Sequence, residues 1–149
     1  MNLRVVSRFV SVVTPAAALL LPLPARALPA EAIFGRWLTD DHAAIVAVRP
    51  CGEKLCGRIE KILDPKAPEN DVNNPDPDRR SRSLVGTPIF WSFVQSGSGW
   101  TDGRAYDPKT GNIYRSKLIV LENGKLKVTG CVLFLCRSRY WTPAIQTRN

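Results

Sequence analysis

Histidine is nearly missing from this chain: His42 is the only one in 149 residues. It follows Asp40-Asp41 in a turn-like run, and a catalytic base needs both a positioned nucleophile and an orienting partner. Nucleophilic hydrolysis therefore draws no support. No histidine lies near any of the four cysteines, and the four residues within each pair are wider than the two-residue knuckle usual for zinc. Zinc is thus the competing use and disulfide the expected one. Long apolar runs are missing beyond residue 23, which leaves no segment able to cross a bilayer as a helix. Tracts of Lys and Arg are missing as well. The charges alternate with apolar residues, so no basic arm for nucleic acid is present and no nucleic-acid partner is expected.

What is there begins with an export pattern. Arg4 and Arg8 precede an apolar stretch over 9–23, and Ala25-Arg26-Ala27 is a small-x-small cleavage site. This order predicts a signal peptide over residues 1–27, with an uncleaved N-terminal anchor as the alternative. Cleavage leaves 149 − 27 = 122 residues (28–149), one domain. Losing Arg4, Arg8 and Arg26 lowers the formal charge from +8 to +5, which suits solubility or contact with an anionic envelope component. The expected location is periplasmic or secreted, where cysteines oxidise. Three connectivities are open. Proximity and matched spacing favour Cys51–Cys56 and Cys131–Cys136, although a long-range bridge stabilises more, about 4 kcal/mol against about 2.

The mature chain reads as β nearly throughout, after one helical turn expected over 28–33. Strands are predicted at 34–39, 43–49, 57–63, 89–94, 100–106, 113–121, 125–130 and 138–142. Turns punctuate them: Asp40-Asp41-His42, Asp107-Pro108-Lys109-Thr110-Gly111, and Asn123-Gly124, the strongest short hairpin signal. Only residues 64–82, with four prolines and many charges, make a long connection. That composition is expected to bury nothing and to remain a mobile surface loop or a functional one. Eight sequential antiparallel strands predict an all-β, up-and-down barrel, with a β-sandwich as the alternative. A barrel of this size is filled by side chains or holds one small ligand.

Several stretches carry a family likeness. They are Gly35-Arg36-Trp37-Leu38-Thr39, Cys51-Gly52, Leu55-Cys56-Gly57-Arg58-Ile59, Asp71, Asn73-Asn74-Pro75-Asp76 and Arg82-Ser83-Leu84-Val85-Gly86. Further along come Trp100, Gly103, Tyr106-Asp107-Pro108, Gly111, Tyr114, Leu126, Gly130 and Trp141. Together they resemble the bacterial domain-of-unknown-function family numbered 2147, exported proteins without an assigned activity. The likeness implies a small barrel related in shape to lipocalins. Gly35-x-Trp37 also resembles the lipocalin signature, whose tryptophan closes one barrel end beneath a late arginine; Arg137 and Arg139 are the candidates for it. Trp141-Thr142-Pro143 departs from the family pattern, where a basic residue is expected after the tryptophan.

Candidate site residues fall in two groups. The first is the polar connection, with Asp71, Asn73, Asn74, Asp76, Arg80 and Arg82. Its alternating oxygens are of the kind calcium accepts, but it lacks the Gly and distant Glu of an EF-hand. Asn73, Asn74 and Asp76 are expected to bond backbone groups, and Arg79, Arg80 and Arg82 to pair with acids. The second group is aromatic: Trp37, Trp91, Trp100, Tyr106 and Tyr114, lining either a core or a pocket. Phe90 and Trp91 are adjacent, so on a strand they face opposite sides.

These features point first to a non-enzymatic, exported binding module. It would take a small apolar or amphipathic ligand in the barrel, or an anionic envelope partner across its loops, without a cofactor or metal. The alternatives are a hydrolase or isomerase using acids of the 71–82 loop with Arg80 or Arg82, and a structural envelope factor with no ligand.

Overall fold

The computed structural model describes residues 28–144, so the expected signal peptide over 1–27 lies outside the described residues. After a 3-10 turn at Ala30–Ile33 come β1 (Gly35–Leu38), β2 (Ala44–Cys51), β3 (Lys54–Ile62) and β4 (Pro88–Ser96). Then follow β5 (Gly99–Asp107), β6 (Asn112–Val120), β7 (Leu126–Val132) and β8 (Leu135–Pro143). Each strand pairs antiparallel with its sequence neighbour, and β8 returns to β1, closing the barrel. The up-and-down barrel is therefore formed and the sandwich is not.

The strands run further into the cysteine segments than their sequence suggests. Cys51 pairs with Lys54 around Gly52-Glu53, and Val132 pairs with Leu135 around Leu133-Phe134. β8 accordingly starts at Leu135 and not at 138. Both expected disulfides are present, Cys51–Cys56 with Cα atoms 5.7 Å apart and Cys131–Cys136 at 4.1 Å. Short matched spacing wins because each hairpin has already brought its two sulfurs together.

Inside, alternation is interrupted twice. Phe90 and Phe93 are both buried although three residues apart, because Ser92 sits at φ 64° and adds a bulge. Trp100 and Gly103 point inward together for the same reason, around Asp102 at φ 58°. The large rings then need room. A Cβ on Gly57 would press on Phe90, and one on Gly103 would overlap the ring of Phe93. Phe93 meets Phe90 edge to face at 5.7 Å, and Trp141 stacks on Phe90 at 5.3 Å. With Val46, Val48, Leu55, Leu118 and Leu126 fully buried around them, side chains fill the lumen.

The two barrel ends differ. The β2–β3, β4–β5 and β6–β7 turns share one end, which the 3-10 turn plugs. Trp37 Nε1 donates to the Ile33 carbonyl at 2.8 Å, and Trp100 Nε1 to that of Ala30 at 3.0 Å. The expected arginine cap over Trp37 is not formed. Arg139 turns to Asp40 at 3.0 Å, and Arg137 is exposed. β1 is only four residues long, so beyond Leu38 the β8 side chains face the β1–β2 turn instead of a strand. The other end holds the β1–β2, β5–β6 and β7–β8 turns and the long connection between β3 and β4.

Candidate functional site

The long connection is folded, and its composition misleads. Asn70 bridges Ser83, the Asp71 N–H donates to the Arg82 carbonyl at 2.9 Å, and the Leu84 N–H to that of Glu69 at 2.9 Å. These bonds turn Asp71 and Leu84 inward, to 2% and 5% exposure. A segment expected to bury nothing thus buries a carboxylate. It does so because Asp71 finds partners. Tyr106 Oη and Asn74 Nδ2 each donate to it at 2.6 Å. Burial, and then the bond to Asp71, push the Tyr106 phenol above its ordinary value.

The remaining oxygens of the loop are committed locally, as its Asx chemistry leads one to expect. Asn74 Oδ1 accepts from the Asp76 N–H at 3.0 Å, and Asp76 Oδ1 from the Asp78 N–H at 3.1 Å, capping a 3-10 turn at Pro77–Arg79. Arg79 pairs with Asp76 at 3.0 Å. The other two expected ion pairs are not made among the described residues. Arg80 donates to the Asn74 carbonyl at 2.8 Å, and Arg82 has no acidic partner. Asn73 reaches away from the rest, its Nδ2 donating to the Pro108 and Lys109 carbonyls at 3.1 Å. Its own carbonyl lies where a Cβ on Gly111 would be, so glycine is required there.

Register decides which barrel face the connection covers. Phe90 points inward, so Trp91 points outward, opposite the exposed Arg104. Tyr106 pairs with Ile113 on the same outer face. Ile113 is exposed; Tyr106 is buried because the connection lies over it. Between wall and connection runs a cleft of about 940 Å³. Its apolar side is made by Trp91, Tyr106 and Ile113, and its polar side by Asp71, Asn74, Asp76, Arg58, Arg79 and Arg82. Arg58 donates to the Gly86 carbonyl at 2.9 Å, tying down the end of the connection.

Of the residues singled out from sequence, Asp71, Asn74, Asp76, Arg82, Trp91 and Tyr106 meet at this cleft. Asn73 and Arg80 serve the packing of the connection. Trp37 and Trp100 sit at the plugged end of the barrel, and Tyr114 is half-buried beside Gly130. Arg58 and Ile113 were not anticipated. Only the strand register, which local pattern does not reveal, brings them to the cleft. The other acids work in their own turns. Asp107 accepts from the Lys109 N–H at 2.9 Å. Asp41 accepts from Lys109 Nζ, from Thr39 Oγ1 at 2.7 Å and from the Ala43 N–H at 3.0 Å. Burial alone raises the Asp41 carboxyl, but these bonds, Lys109 foremost, outweigh it and bring it down to about 2.

A closed eight-stranded up-and-down barrel with a 3-10 plug defines the lipocalin-like class, a shape compatible with ligand binding. Among solved structures the chain is similar to protein HP1028 from Helicobacter pylori, described as belonging to the lipocalin family. The TM-score is 0.68 at 20% identity, covering 76% of this chain and 83% of that one. At that identity the likeness shows the fold alone. Residues 35–143 match the family described as an uncharacterized protein conserved in bacteria (DUF2147), and the chain belongs to that family. No curated protein matches the sequence.

Proposed function

We propose that the protein is a non-enzymatic binding module, exported to the periplasm or beyond, that takes an anionic amphipathic small molecule in the outer cleft. The observation carrying this reading is Arg82, a cation without an acidic partner among the described residues, beside an aromatic wall of Trp91 and Tyr106. Such a pairing of flat apolar surface with an unpaired cation suits a molecule with an apolar body and a negative head. Export is supported by the N-terminal pattern and by two disulfides. The hydrolase or isomerase alternative draws less support. Asp71 is held by Tyr106 and Asn74 in a bond that fixes the loop, and Asp76 caps a turn.

The test is a titration with dodecyl phosphate followed by tryptophan fluorescence. Saturable binding is expected, with the signal lost in Trp91→Phe and affinity weakened roughly tenfold or more in Arg82→Ala, the scale of one charge-assisted hydrogen bond. An unsaturable response, or affinity unchanged by Arg82→Ala, overturns the reading and leaves the ligand-free structural factor.

A further inference from the structure

The hairpin joining β7 and β8 is a second feature that the cleft does not absorb. Its tip is Val132-Leu133-Phe134-Leu135, exposed to 57%, 91%, 86% and 70%. Soluble surfaces rarely leave four consecutive apolar side chains in water. Local turn chemistry does not explain them either. Leu133 holds a φ of 54°, in the left-handed region where Asn and Gly are at ease and leucine is not. The staple does not require them, because the Cys51–Cys56 hairpin at the opposite end turns on polar Gly52-Glu53, with the glycine at φ 61°. Two hairpins share one cysteine spacing, and only one carries an apolar tip. An outlier kept against local preference points to a use.

The surroundings name the partner's charge. β6, β7 and β8 carry Arg115, Lys117, Lys127, Arg137 and Arg139 and no Asp or Glu within their strands. Arg115 lies opposite Cys131, and Arg137 follows Cys136, so cations flank the staple directly below the tip. Only Arg139 among these five has an acidic partner, Asp40, among the described residues. Cys131 and Cys136 face each other across the ladder, which fixes the tip as a rigid projection at the barrel end opposite the 3-10 plug. Lys127 lies toward the plugged end, so Arg115 and Arg137 are the cations nearest the tip, and an apolar point with cations on its flank is the complement of a lipid surface with anionic headgroups.

We propose that this stapled hairpin is a membrane-docking tip, seating Leu133 and Phe134 among the acyl chains of a bilayer surface that carries anionic phospholipid. Arg115 and Arg137 meet the headgroups while the barrel stays in water. The proposal stands independently of the cleft and its ligand.

The experiment is co-sedimentation of the chain starting at Leu28, whose barrel closes on itself, with two kinds of vesicle. One is phosphatidylcholine alone, and the other also contains phosphatidylglycerol. The informative variant is Leu133→Gly with Phe134→Asn. Only the first turn residue has a positive φ, the position that a two-residue hairpin gives to glycine, so the barrel is expected to melt no lower than the parent, and any loss of binding then belongs to the tip. Binding to the anionic vesicles, weakened by salt and falling more than about tenfold in the variant, is expected. Binding unchanged in the variant, or indifferent to phosphatidylglycerol, overturns the proposal. So does an absence of vesicle binding; a dimer seen by sedimentation and lost in the variant would then assign the tip to a second copy of the chain.

Discussion

Tyr106 Oη donates to Asp71 Oδ1 at 2.6 Å across 35 residues of chain, with both side chains buried. This one bond ties the polar connection to the barrel wall and shapes the floor of the cleft. Removing the hydroxyl strands a buried carboxylate with Asn74 as its remaining side-chain donor. Tyr106→Phe is expected to cost about 1–3 kcal/mol in urea unfolding, and Asp71→Asn less, since an amide still accepts from the phenol. Tyr106→Phe combined with Asp71→Ala should cost less than the sum of the two, because both remove one interaction.

The same bond sets an alkaline signature. An unfolded phenol titrates near 10.0, and in the fold burial and Asp71 raise it. A raised value means that the contribution of Tyr106 is fully present below pH 10 and is lost as pH climbs through the folded value. Spectrophotometric titration should show one of the three tyrosines ionising last, and Tyr106→Phe should remove that step while leaving the other two.

Gly103 has no space for a side chain, since a Cβ there would overlap the Phe93 ring, which is fully buried. Gly103→Ala is expected to destabilise by about 1–3 kcal/mol through overpacking. Adding Phe93→Leu should return part of that loss, measured as a non-additive double variant in the same unfolding assay.

The strand number, the hairpins and both disulfides were legible in the sequence because each follows from local signals. Asn123-Gly124, Pro108 with Gly111, and cysteines five apart act over a few residues. The bulges at Ser92 and Asp102 were not legible. A strict period of two sends Phe90 and Phe93 to opposite faces, and only closing the barrel over both rings makes a left-handed serine worthwhile. Asp71 was legible as a candidate but not as a buried one. Its partner Tyr106 lies on another strand, so the composition of the connection alone pointed to solvent. Arg58 and Ile113 join the cleft for reasons of register, which no single stretch of sequence encodes.

Asp41 and Lys109 join the β1–β2 turn to the β5–β6 turn beside the connection. The ordinary value of 3.8 for Asp41 falls to about 2 in the fold. A depressed carboxyl contributes stability above its unfolded value and loses it as pH falls, so this contribution fades between about pH 4 and pH 2. Lys109, raised by its bond to Asp41, keeps its contribution until pH climbs past the folded value. Asp41→Asn should flatten the acid limb of a plot of stability against pH in that window. An acid limb as steep as the parent's would show that Asp41 does not carry it.

The two sulfur bridges clip opposite ends of the barrel, Cys51–Cys56 beside the 3-10 plug and Cys131–Cys136 beneath the apolar tip. Each closes a short loop, so loop-closure entropy limits its worth to roughly 2 kcal/mol. Because the loops do not overlap and sit at opposite ends of the barrel, their losses should add. Serine pairs at 51/56 and at 131/136 are each expected to lower stability by about 2 kcal/mol or less, and the fourfold variant by about the sum. The tip distinguishes them further. Without its bridge the 131/136 hairpin no longer fixes Leu133 and Phe134 as a point, so amide exchange at 132–135 should accelerate there while 51–56 in the same protein stays protected. Equal acceleration at both hairpins would mean that the bridges act through the barrel as a whole and not locally.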